Sequence, residues 1–149
     1  MLDTLRQKIK GERLLIMGIG NRLRGDDAVG SLLIDRLQGR VGAQLLDAGD
    51  VPENYLGAIE SARPGIILVA DAVDFGGRPG EVTLLGLDQL SKANLTTHSS
   101  SLHLAFKALQ LEPFPEIMVV AVQPENLDFG RGLSPPVTET LEALVHILS

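Results

Sequence analysis

Acidic side chains follow three short apolar segments of the chain, and one histidine precedes a helical pattern. Asp26 and Asp27 occur in GIGNRLRGDDAVG (18–30), Asp71 follows the apolar run 66–70, and His98 occurs in TTHSSSLHLAF (96–106). Two carboxylates and an imidazole can form a three-ligand site with open positions for a borderline divalent metal. The residue types therefore indicate a metal-binding site, although the wide spacing differs from a compact metal motif.

The adjacent acids Asp26 and Asp27 favour different tasks. An acid at this point can cap the helix that the following apolar stripe predicts, and we expect Asp26 to do so. A second carboxylate beside the cap adds repulsion that a bound cation would relieve, which favours Asp27 as the acid facing a cleft. Asp47 has a similar position after Leu45–Leu46 and is expected to support the site, while Asp50 is explained by capping the next helix.

Several other kinds of site are excluded. Leu23 stands where the last glycine of G-x-G-x-x-G would be, and neither a P-loop nor G-x-S-x-G occurs. The absence of cysteine removes disulfides, thiolate metal sites and a cysteine nucleophile. The net charge of −6, with scattered Lys and Arg, argues against binding nucleic acid or an anionic membrane.

The elements that must position these residues alternate between strand and helix. The apolar runs 14–17, 45–46 with its flanks, 66–70 and 117–122 lack polar alternation, as strands buried on both faces require. Helical stripes lie between them, and the pattern predicts a three-layer α/β/α sandwich around a mostly parallel, twisted sheet of about five strands. The link 71–81 is too short and glycine-rich for a crossover helix, so residues 81–87 are predicted as an antiparallel or edge strand.

In such a sheet ligands bind beyond the carboxyl ends of the strands, which is where Asp27, Asp47 and Asp71 are expected. The length of 149 residues predicts one domain, 1–149. Leu2, Leu5 and Ile9 predict a short N-terminal helix, and no run is long enough to span a bilayer, so we expect a cytoplasmic protein.

Four segments, in their order and spacing, resemble one family: GIGNRLRGDDAVG, ADAVDFGGRPGEV, TTHSSSLHLA and AVQPENLDFGRGLSPPV. The chain resembles the nickel-iron hydrogenase maturation proteases, endopeptidases that trim the C-terminal tail of a hydrogenase large subunit. The resemblance implies that Asp27, Asp71 and His98 are the catalytic, metal-contacting set. It also implies that the nickel belongs to the substrate, a nickel-containing large-subunit precursor, and that the protease has no permanent cofactor.

The mechanism that this resemblance suggests has Asp27, Asp71 and His98 contact the nickel and so position the scissile peptide. An acid of the same cluster, or the metal, would activate water, and the sequence leaves the identity of the base open. Two alternatives also stay open. One is a non-catalytic chaperone that binds the metal or the precursor, and the other is a related peptidase that processes a different metalloprotein.

Overall fold

The computed structural model describes residues 2–93 and 99–149, with side chains for 2–90 and 102–149. These ranges hold five strands and six α-helices, which alternate except that two strands and then two helices follow each other between residues 66 and 107, and short 3-10 helices at Gly25–Ala28 and Pro52–Tyr55. The strands are β1 Leu14–Ile19, β2 Gln44–Gly49, β3 Ile66–Ala72, β4 Val82–Gly86 and β5 Glu116–Val122. The helices are α1 Leu2–Ile9, α2 Val29–Leu37, α3 Leu56–Ala62, α4 Leu87–Ala93, α5 Ser99–Lys107 and α6 Pro135–Leu148.

The five strands form one sheet in the order β2-β1-β3-β5-β4. The strands β2, β1, β3 and β5 run parallel to one another. The edge strand β4 pairs antiparallel with β5, which confirms the prediction for residues 81–87. Residues 73–81 hold no helix that could cross over the sheet, so the chain can only turn back and pair in the opposite direction. The carboxyl ends of the four parallel strands therefore lie along one edge of the sheet.

Alternate residues of the central strands feed two apolar cores, one on each face of the sheet. Ile16, Leu68 and Val120 point to the face that α1, α2 and α6 cover. Met17 and Val69 point to the opposite face, which α3, α4 and α5 cover. Burial of each of these aliphatic side chains contributes about 1.5–3 kcal/mol to the stability of the fold. Because three helices cover each face of the sheet, the predicted three-layer sandwich is confirmed.

The helix α4 was not predicted from the sequence. Its seven residues, LDQLSKA, carry only two leucines, and one of these, Leu90, is buried against the sheet. An apolar pair this short has no clear helical period, so packing against β4 and β5 rather than local pattern accounts for the helix. Among residues 2–93 and 99–149, no helix combines the length and the apolar character needed to cross a membrane.

Candidate functional site

The glycines of the first block bring backbones together instead of surrounding a phosphate. A Cβ on Gly18 would lie 2.2 Å from the carbonyl oxygen of Gly30, and a Cβ on Gly30 would lie 2.4 Å from that of Ala70. Gly20 has a φ of +141°, and a Cβ there would lie 1.8 Å from the carbonyl oxygen of Asp27. Only glycine permits such contacts, and they press the 3-10 helix and the start of α2 against the ends of β1 and β3.

Asp27 lies in the 3-10 helix Gly25–Ala28, directly beyond the carboxyl end of β1. Its side chain is 6% exposed, and the backbone N–H of Asn21 donates a hydrogen bond of 2.8 Å to its Oδ2. This helix also packs against β3. The loop therefore holds the Asp27 carboxylate in a fixed orientation beside the strand that carries Asp71.

Asp71 lies within β3, as its penultimate residue, whereas the sequence placed it in the loop after the strand. Its side chain is only 3% exposed. The pKa of the Asp71 carboxyl is raised well above its ordinary value, first by burial and then by the negative charge of Asp27, with a smaller effect from Asp50. A hydrogen bond from the backbone N–H of Ala72 works in the opposite direction without reversing the shift.

Asp50 brings a third carboxylate toward the same edge. It is exposed and directly follows β2, and its charge contributes to the raised pKa of Asp71. The expected capping role is wrong, because Val51 is the N-cap of the following 3-10 helix and no side chain caps that helix end. Its position immediately after a parallel strand was the signal that could have identified it.

The third predicted ligand, His98, lies outside the residues that the structure describes, and α5 begins at the next residue, Ser99. Within the described parts of the chain, no group of three or more His, Asp or Glu side chains converges as a metal site. The structure thus brings together two of the three predicted ligands, Asp27 and Asp71.

Asp26 does not cap a helix, so that prediction is wrong. Neither the 3-10 helix nor α2 has a side-chain cap, and Asp26 is fully buried. Its carboxylate accepts hydrogen bonds from the backbone N–H groups of Glu125, Asn126 and Ser134, at 2.8, 3.1 and 2.7 Å, and from the Ser134 hydroxyl at 2.8 Å. Asp26 therefore fastens the segment 125–134 and the N-terminus of α6 to the block that carries Asp27.

Gln123 was not singled out by the sequence, yet it organises the loop after β3. Its Oε1 accepts hydrogen bonds from the backbone N–H groups of Phe75 and Gly77, both at 3.0 Å, and its Nε2 donates to Asp74 Oδ1 at 3.1 Å. The side chain is largely buried at the carboxyl end of β5. A polar residue directly after a buried strand was the available signal.

Asp47 is engaged by neighbouring donors. It accepts hydrogen bonds from the hydroxyl of Ser31 at 2.7 Å, from the Arg22 guanidinium at 2.7 Å and from the N–H of Gly49 at 3.2 Å. Burial raises the pKa of Asp47, but these hydrogen bonds outweigh it, and the pKa is lowered overall. Arg22 also forms a bidentate pair with Asp35, so Asp47 helps to fix the loop after β1.

A separate groove opens at the amino end of the sheet, lined by residues that include Arg13, Arg63 and Glu112. It lies at the sheet edge opposite to Asp27 and Asp71. We place the candidate site at the carboxyl edge because two buried, mutually repelling carboxylates can be stabilised by a bound cation or a proton. The groove offers no comparable chemistry.

Comparison with known proteins gives matches within one family. A family model described as HycI, hydrogenase maturation protease, matches residues 28–149. The hydrogenase 3 maturation protease of Escherichia coli K12 is 29% identical over 137 residues, which cover 90% of this chain and 87% of that protein.

Solved structures give the same result. The nickel-iron hydrogenase maturation protease HycI of Thermococcus kodakarensis is similar with a TM-score of 0.84 and 29% identity, covering 97% of this chain and 98% of that one. The endopeptidase HycI of Escherichia coli gives a TM-score of 0.79 and 27% identity, covering 91% and 88%. The similarity thus extends over nearly the whole of each chain.

Proposed function

Because the chain belongs to the hydrogenase maturation protease family and is therefore a peptide hydrolase, we propose that it removes the C-terminal extension of a nickel-iron hydrogenase large-subunit precursor. Cleavage follows nickel insertion in this proposal. The observation that carries it is the pair of buried carboxylates, Asp27 and Asp71, which two neighbouring parallel strands bring to one edge of the sheet. No resident cofactor is needed, since the nickel arrives with the substrate.

The chemistry of the pair supports a role for a metal that arrives with the substrate. Asp27 raises the pKa of Asp71, so the two groups resist being charged together, and a divalent cation between them would relieve this repulsion. Two carboxylates and His98 supply too few ligands to fill the coordination shell of a metal. The free positions suit a nickel ion that stays bound to the precursor's own ligands, so that the ion reports completed insertion.

In the proposed reaction, Asp27, Asp71 and His98 contact the substrate's nickel and thereby hold the scissile peptide in place. The Asn21 N–H fixes the orientation of Asp27, and β3 fixes that of Asp71. An acid of this cluster, or the substrate's metal, activates the attacking water. Positioning of this kind accelerates the reaction, because the entropy cost of bringing the reacting groups together is met when the substrate binds.

The test uses the large-subunit precursor from the same organism, prepared with and without nickel. We expect a mass loss at the C-terminus of the nickel-loaded form and none from the nickel-free form. Asp27→Asn, Asp71→Asn and His98→Ala should each lower the rate by about a hundredfold or more. The matched control is Asp3→Asn, which makes the same chemical change at an exposed site on α1 and should leave the rate unchanged.

Wild-type rates in all three site variants would refute the assignment of the residues. Efficient cleavage of the nickel-free precursor would instead refute the metal checkpoint and leave the protease assignment intact. If the precursor were bound but never shortened, the processing reaction itself would be wrong.

A further inference from the structure

Three large apolar side chains are exposed beside the candidate site, and we call them the rim patch: Leu23, Leu127 and Phe129. Their exposed fractions are 67%, 37% and 70%. They come from two segments that are about a hundred residues apart in sequence, the loop after β1 and the loop after β5. Clustered apolar exposure on a protein surface is typical of an interaction site.

The rim patch is held in place by the fold. The N–H of Gly130 donates to the carbonyl oxygen of Leu23 at 2.9 Å, and Arg24 and Phe129 form an antiparallel backbone bridge. The Arg24 Nε donates to the carbonyl oxygen of Leu127 at 3.3 Å, while its guanidinium carbon lies 5.8 Å from the centre of the Phe129 ring. Beneath these contacts, Asp26 binds the same loop through four hydrogen bonds.

The rim patch is also continuous with the acid site. The N–H of Asp27 donates to the carbonyl oxygen of Arg24 at 2.9 Å, so one short turn links Leu23 to the Asp27 carboxylate. A molecule that contacts Leu23 or Phe129 therefore lies against the segment that positions Asp27. A surface ordered in this way loses little conformational entropy when a partner binds.

We propose that the rim patch is the docking surface for the folded body of the hydrogenase large-subunit precursor. The inference rests on the proposed function and adds the surface that selects the substrate. Leu23 and Phe129 are each about two-thirds exposed, and apolar side chains of this size are buried most fully in a concave apolar surface on the partner. A folded precursor can offer such a concavity, whereas an extended C-terminal tail cannot.

The composition of the surroundings agrees with a protein partner. Aromatic residues and arginine are both enriched at protein interfaces, and Phe129 of the rim patch lies beside Arg24. The charged residues Asp128 and Arg131, which form an exposed ion pair at 3.4 Å, flank the apolar side chains as the polar rim of an interface would.

The test compares Leu23→Ser, Phe129→Ser and the double variant with Phe114→Ser. Phe114 is the matched control because it is an exposed aromatic residue (49%) that lies before β5, at the opposite end of the sheet. Affinity for the nickel-free precursor from the same organism, which the proposed function leaves uncleaved, is measured by biolayer interferometry with every site residue intact. Steady-state cleavage is then measured with the nickel-loaded precursor, and thermal unfolding checks that each variant is folded.

We expect the double variant to weaken binding and raise KM by about tenfold or more, while kcat stays within about twofold. Phe114→Ser should behave as wild type. A synthetic peptide that spans the cleavage site should bind the rim-patch variants and the wild-type chain equally, because it has no folded body.

Unchanged affinity of the folded double variant for the precursor would overturn the docking surface, even if cleavage is confirmed. The same conclusion follows if the chain without rim-patch changes does not bind the precursor. It also follows if the double variant loses as much affinity for the synthetic peptide as it does for the precursor. Binding that depends on the rim patch without any cleavage would support the docking surface while refuting the proposed function.

Discussion

Two buried carboxylate regions lie side by side at the carboxyl edge of the sheet, and they are built in opposite ways. In one, Asp26 accepts four hydrogen bonds from Glu125, Asn126 and Ser134. In the other, Asp71 is buried beside the negative charge of Asp27, and its pKa is raised. A carboxylate surrounded by donors stabilises the fold, whereas carboxylates that repel each other weaken it and are suited to bind a cation.

The comparison predicts that substituting the two neighbouring acids separates activity from stability. Asp27→Asn should lower the rate of precursor cleavage by about a thousandfold, which is about 4 kcal/mol, with little change in melting temperature. The neutral amide keeps the size of the side chain but has a much weaker affinity for a metal cation. The measurements are cleavage by mass spectrometry and melting by calorimetry, and a large fall in melting temperature with retained activity would reverse the two roles.

Substitution of Asp26 should give the opposite result, a loss of stability. Asp26→Ala removes the acceptor of four hydrogen bonds. The buried N–H and hydroxyl of Ser134 then lose this acceptor, so the free energy of unfolding should fall by about 3 kcal/mol. Denaturant titration measures this directly. Asp35→Ala, which breaks an exposed pair with Arg22, is the comparison and should change stability by less than about 1 kcal/mol. Equal effects would mean that burial does not distinguish the two acids.

Substitution of Gln123, which holds the loop after β3, should have an intermediate effect on stability. Gln123→Ala removes the acceptor for the N–H groups of Phe75 and Gly77, and we expect a loss of about 1–2 kcal/mol in the free energy of unfolding. Gln123→Glu keeps the acceptor and should recover part of this loss. Greater hydrogen exchange at residues 75–77 in the alanine variant would locate the effect, and exchange that rises equally across the chain would contradict it.

The smallest effect is expected for Asp71, where a substitution should raise the stability of the fold instead of lowering it. Between the ordinary carboxyl pKa of 3.8 and the raised pKa of the folded state, the folded protein keeps a proton that the unfolded chain has lost. The stability of the wild-type protein therefore falls as pH rises through this window. Asp71→Asn does not titrate, so we expect it to melt at a higher temperature than wild type at neutral pH, by a margin that shrinks as pH falls toward 3.8.

Melting curves at several pH values check this, with Asp3→Asn as the exposed control. A variant that is less stable than wild type at neutral pH, or a margin that is constant with pH, would show that the buried charge of Asp71 does not weaken the fold.

Local pattern was enough to predict most of the fold. The uninterrupted apolar runs identified β1, β3 and β5, because a strand covered on both faces cannot carry polar side chains. The stripe from Val29 to Leu37 matched α2 at both ends, and the short glycine-rich link after β3 gave the antiparallel edge strand. The helix α4 escaped because its burial depends on packing against β4 and β5, and a seven-residue pattern does not record that packing.

The candidate site was predicted in part. The positions of Asp27 and Asp71 near the ends of β1 and β3 predicted that they lie close together, since parallel strands end at the same edge of the sheet. The sequence pattern predicted a capping role for Asp50 although its position after a parallel strand pointed to the same edge, whereas the roles of Asp26 and Gln123 depend on partners that are distant in sequence. Asp26 binds groups about a hundred positions away, and Gln123 binds a loop nearly fifty positions away.

The sequence by itself determined the sheet, the edge that carries the acids, and the family. Apolar periodicity and strand direction are local properties, and the family's motifs can be read directly. Only the tertiary structure decided which of two adjacent aspartates is a structural acceptor and which lies beside Asp71. In GDDA the two acids are chemically identical, and they differ only because the segment 125–134 folds over Asp26 and supplies its donors, while β3 brings Asp71 beside Asp27.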